Sequence, residues 1–262
     1  MSAEVAAKPP AESPGPLTLL GTYAGIGRAY LRWARFLLML GVVVFVPVGL
    51  VHSLAVEADI GSLDFGGVVV LLGLAAALLV LIVTGLLGEV FYTGAVAASL
   101  THVHDGDPPT LREIARAIDY GRLIAVDLIY GAAVAIGTLL LVVPGILAFV
   151  WLALAAPVIE IERRGVRDSL RRSLQLVRGR FWLVLAVLFP IEVVGEAVTA
   201  AATGLADDLV GDRTLISHWL ADVLSNLAFT PFYAVAAVIL TVGLIHEKDG
   251  SGPALRVAPR QP

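Results

Sequence analysis

Long apolar runs constrain the fold of this chain more than any other feature of its sequence. The clearest run, GVVVLLGLAAALLVLIVTGLLG, begins at Gly67 and contains no charged residue. A helix needs about 20 apolar residues to cross the ~30 Å hydrocarbon core of a bilayer, where each backbone polar group must be satisfied internally. Only 15% of the 262 residues are charged, against roughly 25% in a soluble domain. The sequence therefore predicts an all-α, polytopic integral membrane protein.

Six candidate transmembrane helices follow from the apolar runs. The second is longer than the membrane core, because 34 residues at ~1.5 Å each reach about 51 Å, and it must tilt or extend past the interface. Pro144 and Gly145 are predicted to break the chain between the third and fourth helices, which could alternatively form one re-entrant hairpin. The predicted spans are residues 36–55, 67–100, 123–143, 146–161, 181–203 and 219–245.

The segments outside these spans are short. Residues 1–16 lack the apolar region of a secretory signal and, being rich in Pro, Ala and Glu, are predicted to be disordered. Residues 249–262 are predicted to form a second disordered tail, which leaves residues 17–248 as the membrane domain. The chain contains no cysteine, so disulfides and thiolate metal sites are excluded.

Basic residues are concentrated in alternate segments between the spans. Of the 18 Lys and Arg residues, 17 fall in four segments predicted to face one side, and the opposite loops are acidic except for Arg213. Short cytoplasmic loops carry the excess of Lys and Arg in membrane proteins, so both termini are predicted to be cytoplasmic. Sixteen of the 18 are Arg, a composition associated with GC-rich bacteria, and the predicted location is the bacterial plasma membrane.

The densest basic segment is RRGVRDSLRRSLQLVRGRFW, residues 163–182. On a helix its apolar residues share one sector and its arginines lie on the flank and the far side, which is typical of a helix in the membrane interface. These arginines either fix the topology or bind anionic lipid, at about 1 kcal/mol each. The predicted apolar sector is Val166, Leu170, Leu174, Val177 and Phe181. The candidate lipid-interface residues are Arg163, Arg164, Arg167, Arg171, Arg172, Arg178 and Arg180.

Weaker versions of this design precede the first and third spans. They are GIGRAYLRWARF and PPTLREIARAIDYGRL, and in the second Thr110 and Glu113 form a capping box that marks a helix start. The chain is therefore predicted to contain three units, each a basic interfacial helix followed by a helical hairpin. Transporters often have such internal repeats, although chance similarity between short basic helices is an alternative.

A series of short motifs runs through the second half of the chain. It consists of a Pro-Gly helix start, an apolar span, an acidic residue, a Leu-x-x-Ser-x-x-Leu helix, and a Gly followed by an aromatic residue. Over residues 108–190 this pattern resembles the membrane domain of some glycerophosphoryl diester phosphodiesterases and of their stand-alone, YciC-like relatives. The matching residues are Pro144, Gly145, Glu160, Ser169, Leu170, Ser173, Leu176, Gly179 and Trp182.

This resemblance implies a fold and a membrane role, with Pro144, Gly145, Glu160, Ser173 and Gly179 as structural positions. It does not imply hydrolysis, because the sequence has neither the His-Arg-Gly start nor the length of the soluble phosphodiesterase barrel. The chain departs from the family pattern near its end, where LIHEKDG replaces a Tyr-Asp-Leu-Arg-like run.

Two glutamates lie inside the predicted fifth span. Glu192 is eleven residues into that span, about 16 Å deep, and Glu196 follows one turn later on the same face. Pro190 should free a backbone carbonyl beside them. Because ionisable residues are costly in a membrane and often functional, this site could bind a cation, a proton or a basic headgroup. Alternatively, hydrogen-bonded glutamates hold neighbouring helices together.

Other polar residues are weaker candidates. The loop THVHDGDPP, residues 101–109, has an H-x-H pair that could bind zinc, but its Asp and Pro residues are typical of a turn. Glu89 and Asp127 are predicted to pair with Arg122. The sequence contains no nucleophile elbow, phosphate-binding loop or zincin motif. No catalytic residue, metal or cofactor is predicted, and nucleic-acid binding is not expected.

The sequence favours a non-enzymatic membrane protein associated with lipid or the cell envelope. Its predicted partner is the phospholipid bilayer and, if the arginine segment binds lipid, anionic phospholipid in particular. The alternative is a small secondary transporter for an ion or metabolite that uses Glu192 and Glu196.

Overall fold

A computed structural model describes residues 17–57, 92–100, 112–113, 116, 118–210 and 214–250. The described residues are almost entirely helical and include no β-strand, which confirms the all-α prediction. Seven helices have defined bounds: α1 Leu19–Glu57, α2 Tyr120–Leu140, α3 Val142–Leu152, α4 Ala155–Glu162, α5 Val166–Val177, α6 Phe181–Val210 and α7 Leu215–Asp249.

Five helical stretches are long and apolar enough to cross a membrane. They are Leu19–Leu50, Tyr120–Leu140, Val142–Glu162, Phe181–Val210 and Leu215–Asp249. The stretch Val142–Glu162 consists of α3 and α4 with a two-residue turn between them. These helices agree with the predicted multi-pass membrane protein. Most of the predicted second span, and both predicted tails apart from Asp249 and Gly250, lie outside the described residues.

The two longest helices, α1 and α7, pack antiparallel. The rings of Tyr30 and Phe232 stack with their centroids 3.9 Å apart, and further along Trp219 donates its indole N–H to the carbonyl of Val46 at 3.0 Å. The start of α1 therefore lies beside the end of α7. The segment GIGRAYLRWARF, predicted to form a separate interfacial helix, is a continuous part of α1.

Segment 92–100 is helical and fully buried between α1 and α2. The hydroxyl of Tyr92 donates to the carbonyl of Leu37 in α1 at 2.7 Å. On the other side, a Cβ at Gly94 would lie 2.6 Å from the side chain of Leu123 in α2. This segment therefore connects the α1–α7 pair to the α2–α3 hairpin.

Helices α6 and α7 form a second antiparallel hairpin. The two helices approach closely at Gly195, where a Cβ would lie 2.6 Å from the ring of Phe229, and the hydroxyls of Thr199 and Ser225 are 2.5 Å apart. Pro190 lies inside α6 without ending it. α7 begins with a capping box formed by Thr214 and its third helical residue.

The α2–α3 hairpin reverses direction earlier than predicted. α2 ends at Leu140 and α3 begins at Val142, so Leu141 alone, in an extended conformation (φ −167°, ψ 146°), forms the connection. Pro144 lies in the first turn of α3. Backbone N–H groups there have no intrahelical acceptor, so the missing N–H of proline costs no hydrogen bond. Gly145 packs against Gly137, where a Cβ would lie 2.9 Å from the Cα of Gly145. The prediction that Pro144 and Gly145 break the chain was wrong, because both residues suit the start of a tightly packed helix.

Candidate functional site

The predicted lipid-interface arginines surround α5 and separate into two groups. Three of them form ion pairs within the protein: Arg164, Arg172 and Arg180. Three others are exposed, and no side chain in the described ranges pairs with them: Arg167, Arg171 and Arg178. The seventh, Arg163, is the C-cap of α4 and adopts the left-handed conformation (φ 53°). The arginine segment therefore contains both ion-paired and exposed arginines.

Arg172 connects three helices. Its guanidinium lies 3.0 Å from the carboxylate of Glu162 at the end of α4 and also contacts the carboxylate of Asp249 at the end of α7. Only 11% of its side chain is exposed. Burial lowers the pKa of Arg172, but hydrogen bonds to Asp249 and Glu162 outweigh that effect and raise it above its ordinary value. Arg172 therefore stays charged, and its role is to join helix ends.

The last turn of α7 holds the residues that follow α5. Arg180 donates through Nε to the carboxylate of Glu247 at 2.7 Å. Lys248 donates through Nζ to the carbonyl of Arg178 at 2.8 Å and also to the carbonyl of Gln175. Two acidic residues and one lysine at the end of the last helix thus fix the position of the basic segment.

The side chains of the exposed arginines lie about 100–140° around α5 from that of Arg172. Arg167 and Arg171 are one helical turn apart, and Arg178 follows at the C-cap. Asp168 is also exposed, but it forms no ion pair with any described residue. Leu174, which is 39% exposed, borders the same surface. We call Arg167, Arg171 and Arg178 the arginine stripe.

The face of α5 that packs on the bundle overlaps the predicted apolar sector and also includes two serines. The buried residues are Ser169, Ser173, Leu176 and Val177, whereas Leu174 of the predicted sector is exposed. Ser173 donates its hydroxyl to the carbonyl of Trp151 in α3 at 2.6 Å. Val177 of the predicted sector is buried, and Val166, Leu170 and Phe181 pack against the core. The structure therefore agrees with most of the predicted sector, but it exposes Leu174 beside the arginine stripe and buries two serines that were not predicted.

The motif residues Glu160 and Gly179 occupy structural positions at the two ends of this region. Glu160 is fully buried, and its Oε1 accepts the backbone N–H of Asp119, the N-cap of α2, at 3.3 Å. A carboxyl group there is favourable because the start of a helix carries partial positive charge. Gly179 adopts φ +88°, a conformation that other residues rarely tolerate, in the turn from α5 to α6.

Asp127 does not pair with Arg122 as predicted. Arg122 instead forms an ion pair with Asp119 at 3.0 Å, and Asp127 is only 3% exposed. Five residues along a helix place two side chains about 140° apart, whereas three residues bring them to the same side. Four buried polar atoms have no hydrogen-bond partner among the described residues: Trp33 Nε1, Asp127 Oδ1, Glu160 Oε2 and Ser169 Oγ.

Glu192 and Glu196 lie on a side of α6 that no described helix covers completely. Glu192 is half-buried and Glu196 is exposed, as are the neighbouring Val193 and Val194. No described residue forms a hydrogen bond or ion pair with either carboxyl group. Pro190 precedes them within a continuous helix. The described contacts therefore do not explain these glutamates as interhelical hydrogen-bonding groups.

A small cavity lies among the described helices. One cavity of about 20 Å³ lies beside Thr93, Tyr130 and Tyr233, which is room for one water molecule. No group of three or more His, Asp or Glu residues within the described ranges could hold a metal ion. The loop 101–109 with its H-x-H pair lies outside those ranges, as does Glu89.

The residues missed by sequence reasoning are the acidic partners of the basic segment. Asp249 and Glu247 are 77 and 67 positions from the arginines that they contact. The sequence LIHEKDG carries the signal, since it places two acidic residues at the end of an apolar helix. Nothing in the sequence alone indicates which of the basic segments these residues contact.

Comparison with protein-family models, with curated proteins and with solved structures finds no match to this chain.

Proposed function

We propose that this chain is a non-enzymatic protein of the bacterial plasma membrane that binds anionic phospholipid at its cytoplasmic face through α5. The observation that carries the proposal is the division of the arginine segment. Arg172 and Arg180 are held by acidic residues of the last helix, whereas the arginine stripe faces away from the bundle without a partner among the described side chains.

The surroundings of the stripe favour a lipid headgroup as its ligand. A guanidinium binds phosphate oxygens through two parallel hydrogen bonds, and arginines near an anionic leaflet contribute about 1 kcal/mol each. Leu174 is 39% exposed beside the stripe, and Trp182 is 77% exposed at the start of α6. Tryptophan is enriched at the boundary between headgroups and hydrocarbon. Apolar, aromatic and basic groups thus occur together, as an interfacial helix requires.

The proposed topology has six membrane-embedded helices with both termini in the cytoplasm, and the resemblance to the phosphodiesterase membrane domain belongs to the same proposal. Its support is the distinct structural position of each motif residue. Gly145 lies against Gly137, Glu160 accepts a hydrogen bond at the start of α2, and Ser173 donates to α3. Packing residues of this kind and a lipid contact are what a membrane domain of that family would need.

The direct test replaces the stripe and measures bound lipid. The variant R167Q/R171Q/R178Q and the unchanged protein are purified in mild detergent from the same bacterial membranes, and co-purified phospholipid is quantified by mass spectrometry. Three lost charges at about 1 kcal/mol each predict up to ~100-fold weaker retention of anionic lipid at low salt. Zwitterionic lipid should be unaffected.

The matched control is R28Q/R32Q/R35Q, which removes the same charge from the basic end of α1. We expect this control to retain most of the anionic lipid. Unchanged lipid in the stripe variant, or an equal loss in the control, would contradict a specific role of α5.

A carrier function through Glu192 and Glu196 is the second candidate. The observation that favours it is that two carboxyl groups within a membrane-capable helix have no described partner. Glu192→Gln should then abolish ion or metabolite uptake in proteoliposomes without changing the thermal stability of the protein. Normal transport by this variant would rule out this site.

A further inference from the structure

The turn of the α2–α3 hairpin consists of exposed apolar residues. The five consecutive residues Leu139, Leu140, Leu141, Val142 and Val143 are 64–87% exposed. No charged residue occurs between Asp127 and Glu160, so the tip has no ionic group near it in the sequence. Turns that face water are normally built from Gly, Pro, Asn, Asp and Ser. This composition indicates an apolar medium around the tip.

The backbone of the same turn is suited to an apolar medium. Leu141 donates its N–H to the carbonyl of Gly137 at 3.0 Å and accepts the N–H of Gly145 at 3.4 Å. Pro144 has no N–H, so one donor that the first turn of α3 would otherwise leave unsatisfied is absent. Unsatisfied backbone groups are strongly disfavoured in hydrocarbon. A connection of one residue keeps their number small.

The hairpin is also shorter than its neighbour. Its base lies near α5 and the end of α7, because Glu160 contacts Asp119 and Arg172 joins Glu162 to Asp249. From that level the 21 residues of α2 rise about 31 Å, whereas the 30 residues of α6 rise about 45 Å. α6 is therefore about 14 Å longer than α2.

We infer that α2, α3 and α4 form a re-entrant hairpin that enters from the side of α5 and turns within the bilayer. Its tip contacts the acyl chains of the opposite leaflet and does not reach water. The rise of about 31 Å is close to the thickness of the ~30 Å hydrocarbon core and starts at the ionic contacts of the base, so the tip does not extend past the opposite boundary of the hydrocarbon. This inference does not depend on lipid binding by the arginine stripe.

Single-cysteine labelling tests the inference directly, because the chain has no native cysteine. Leu141→Cys places a thiol at the tip, and Val143→Cys provides a second position if the first variant does not fold. Asp208→Cys, at an exposed position near the α6–α7 turn, is the matched control. Each variant is treated with a membrane-impermeant maleimide in intact membranes and, separately, after denaturation. A nitroxide label at the same position then reports collisions with oxygen and with a water-soluble nickel chelate.

We expect both tip cysteines to react at least ten-fold more slowly than Asp208→Cys in membranes and fully after denaturation. Their nitroxides should be accessible to oxygen, which concentrates in the bilayer, and inaccessible to the nickel chelate. Labelling at the rate of the control would overturn the inference by placing the tip in water. Protection from both oxygen and nickel would also overturn it, because protein and not lipid would then cover the tip.

Discussion

The hairpins α2–α3 and α6–α7 pack their helices in a similar way but differ in the residues at their turns. In both, a glycine lets the two helices approach closely: Gly145 lies against Gly137, and Gly195 lies against Phe229. The first hairpin turns through a single leucine among exposed apolar residues. The second has acidic residues near its turn, and a capping box starts α7. Helix packing is thus similar in the two hairpins, and the turn residues indicate the medium that surrounds each tip.

A charge at each tip should give the largest difference between the two hairpins. Leu140→Lys places an ammonium group at the tip of α2–α3, where we expect a loss of about 2.5–3.5 kcal/mol because the charge would lie in hydrocarbon. Leu209→Lys, in an exposed position next to the acidic turn, should change stability by less than ~0.5 kcal/mol. The free energy of unfolding of the two variants, measured in lipid bilayers, gives the comparison. Equal losses would remove the distinction between the tips.

A methyl group added at the closely packed glycine of each hairpin should give a smaller difference in stability between the two hairpins. In Gly145→Ala the new Cβ would lie 2.8 Å from the backbone nitrogen of Thr138, which cannot move without shifting α2. In Gly195→Ala it would meet the ring of Phe229, which can rotate. We expect Gly145→Ala to lower the free energy of unfolding by about 3 kcal/mol and Gly195→Ala by about 1 kcal/mol.

The control for the two glycine variants is Gly204→Ala, because a Cβ at Gly204 would have no neighbour within 4 Å. This change should stabilise α6 by about 0.5–1 kcal/mol. Thermal unfolding of the three variants gives the order directly. A greater loss for Gly195→Ala than for Gly145→Ala would show that the α2–α3 contact is not the tighter one.

The ionic contact that joins α4, α5 and α7 should have the smallest effect on stability. Asp249→Asn removes one of the two carboxylates that hold Arg172, and Glu162 remains. Because Asp249 is 41% exposed, we expect a loss of only about 1 kcal/mol, which should decrease at high salt. Asp168→Asn, at an exposed position without an ion pair to any described residue, is the control. A salt-independent loss would mean that the charge of Asp249 is not what matters.

The sequence predicts the helices of this chain better than the contacts between them. Apolar runs are a local property, and five of them correspond to membrane-capable helices. The turn at Leu141 could not be predicted, because Pro144 is equally suited to breaking a helix and to starting one. The two buried serines of α5, Ser169 and Ser173, were also missed, since helical periodicity identifies apolar residues and does not weigh the close approach that serine allows.

For the candidate site, the sequence identifies the arginines but not their division into two groups. Arg172 and Arg171 are adjacent and chemically identical, yet one is held by Glu162 and Asp249 and the other is exposed. This difference arises from the position of the end of α7, which is 77 residues away from Arg172 along the chain. Only tertiary structure supplies that information.

The orientation of α5 is the central claim, and labelling of Arg171→Cys in sided membrane vesicles tests it most directly. A membrane-impermeant maleimide should modify Arg171→Cys only in inside-out vesicles and Asp208→Cys only in right-side-out vesicles. Modification of Arg171→Cys from the periplasmic side would contradict both the cytoplasmic position of the arginine stripe and the topology built on it.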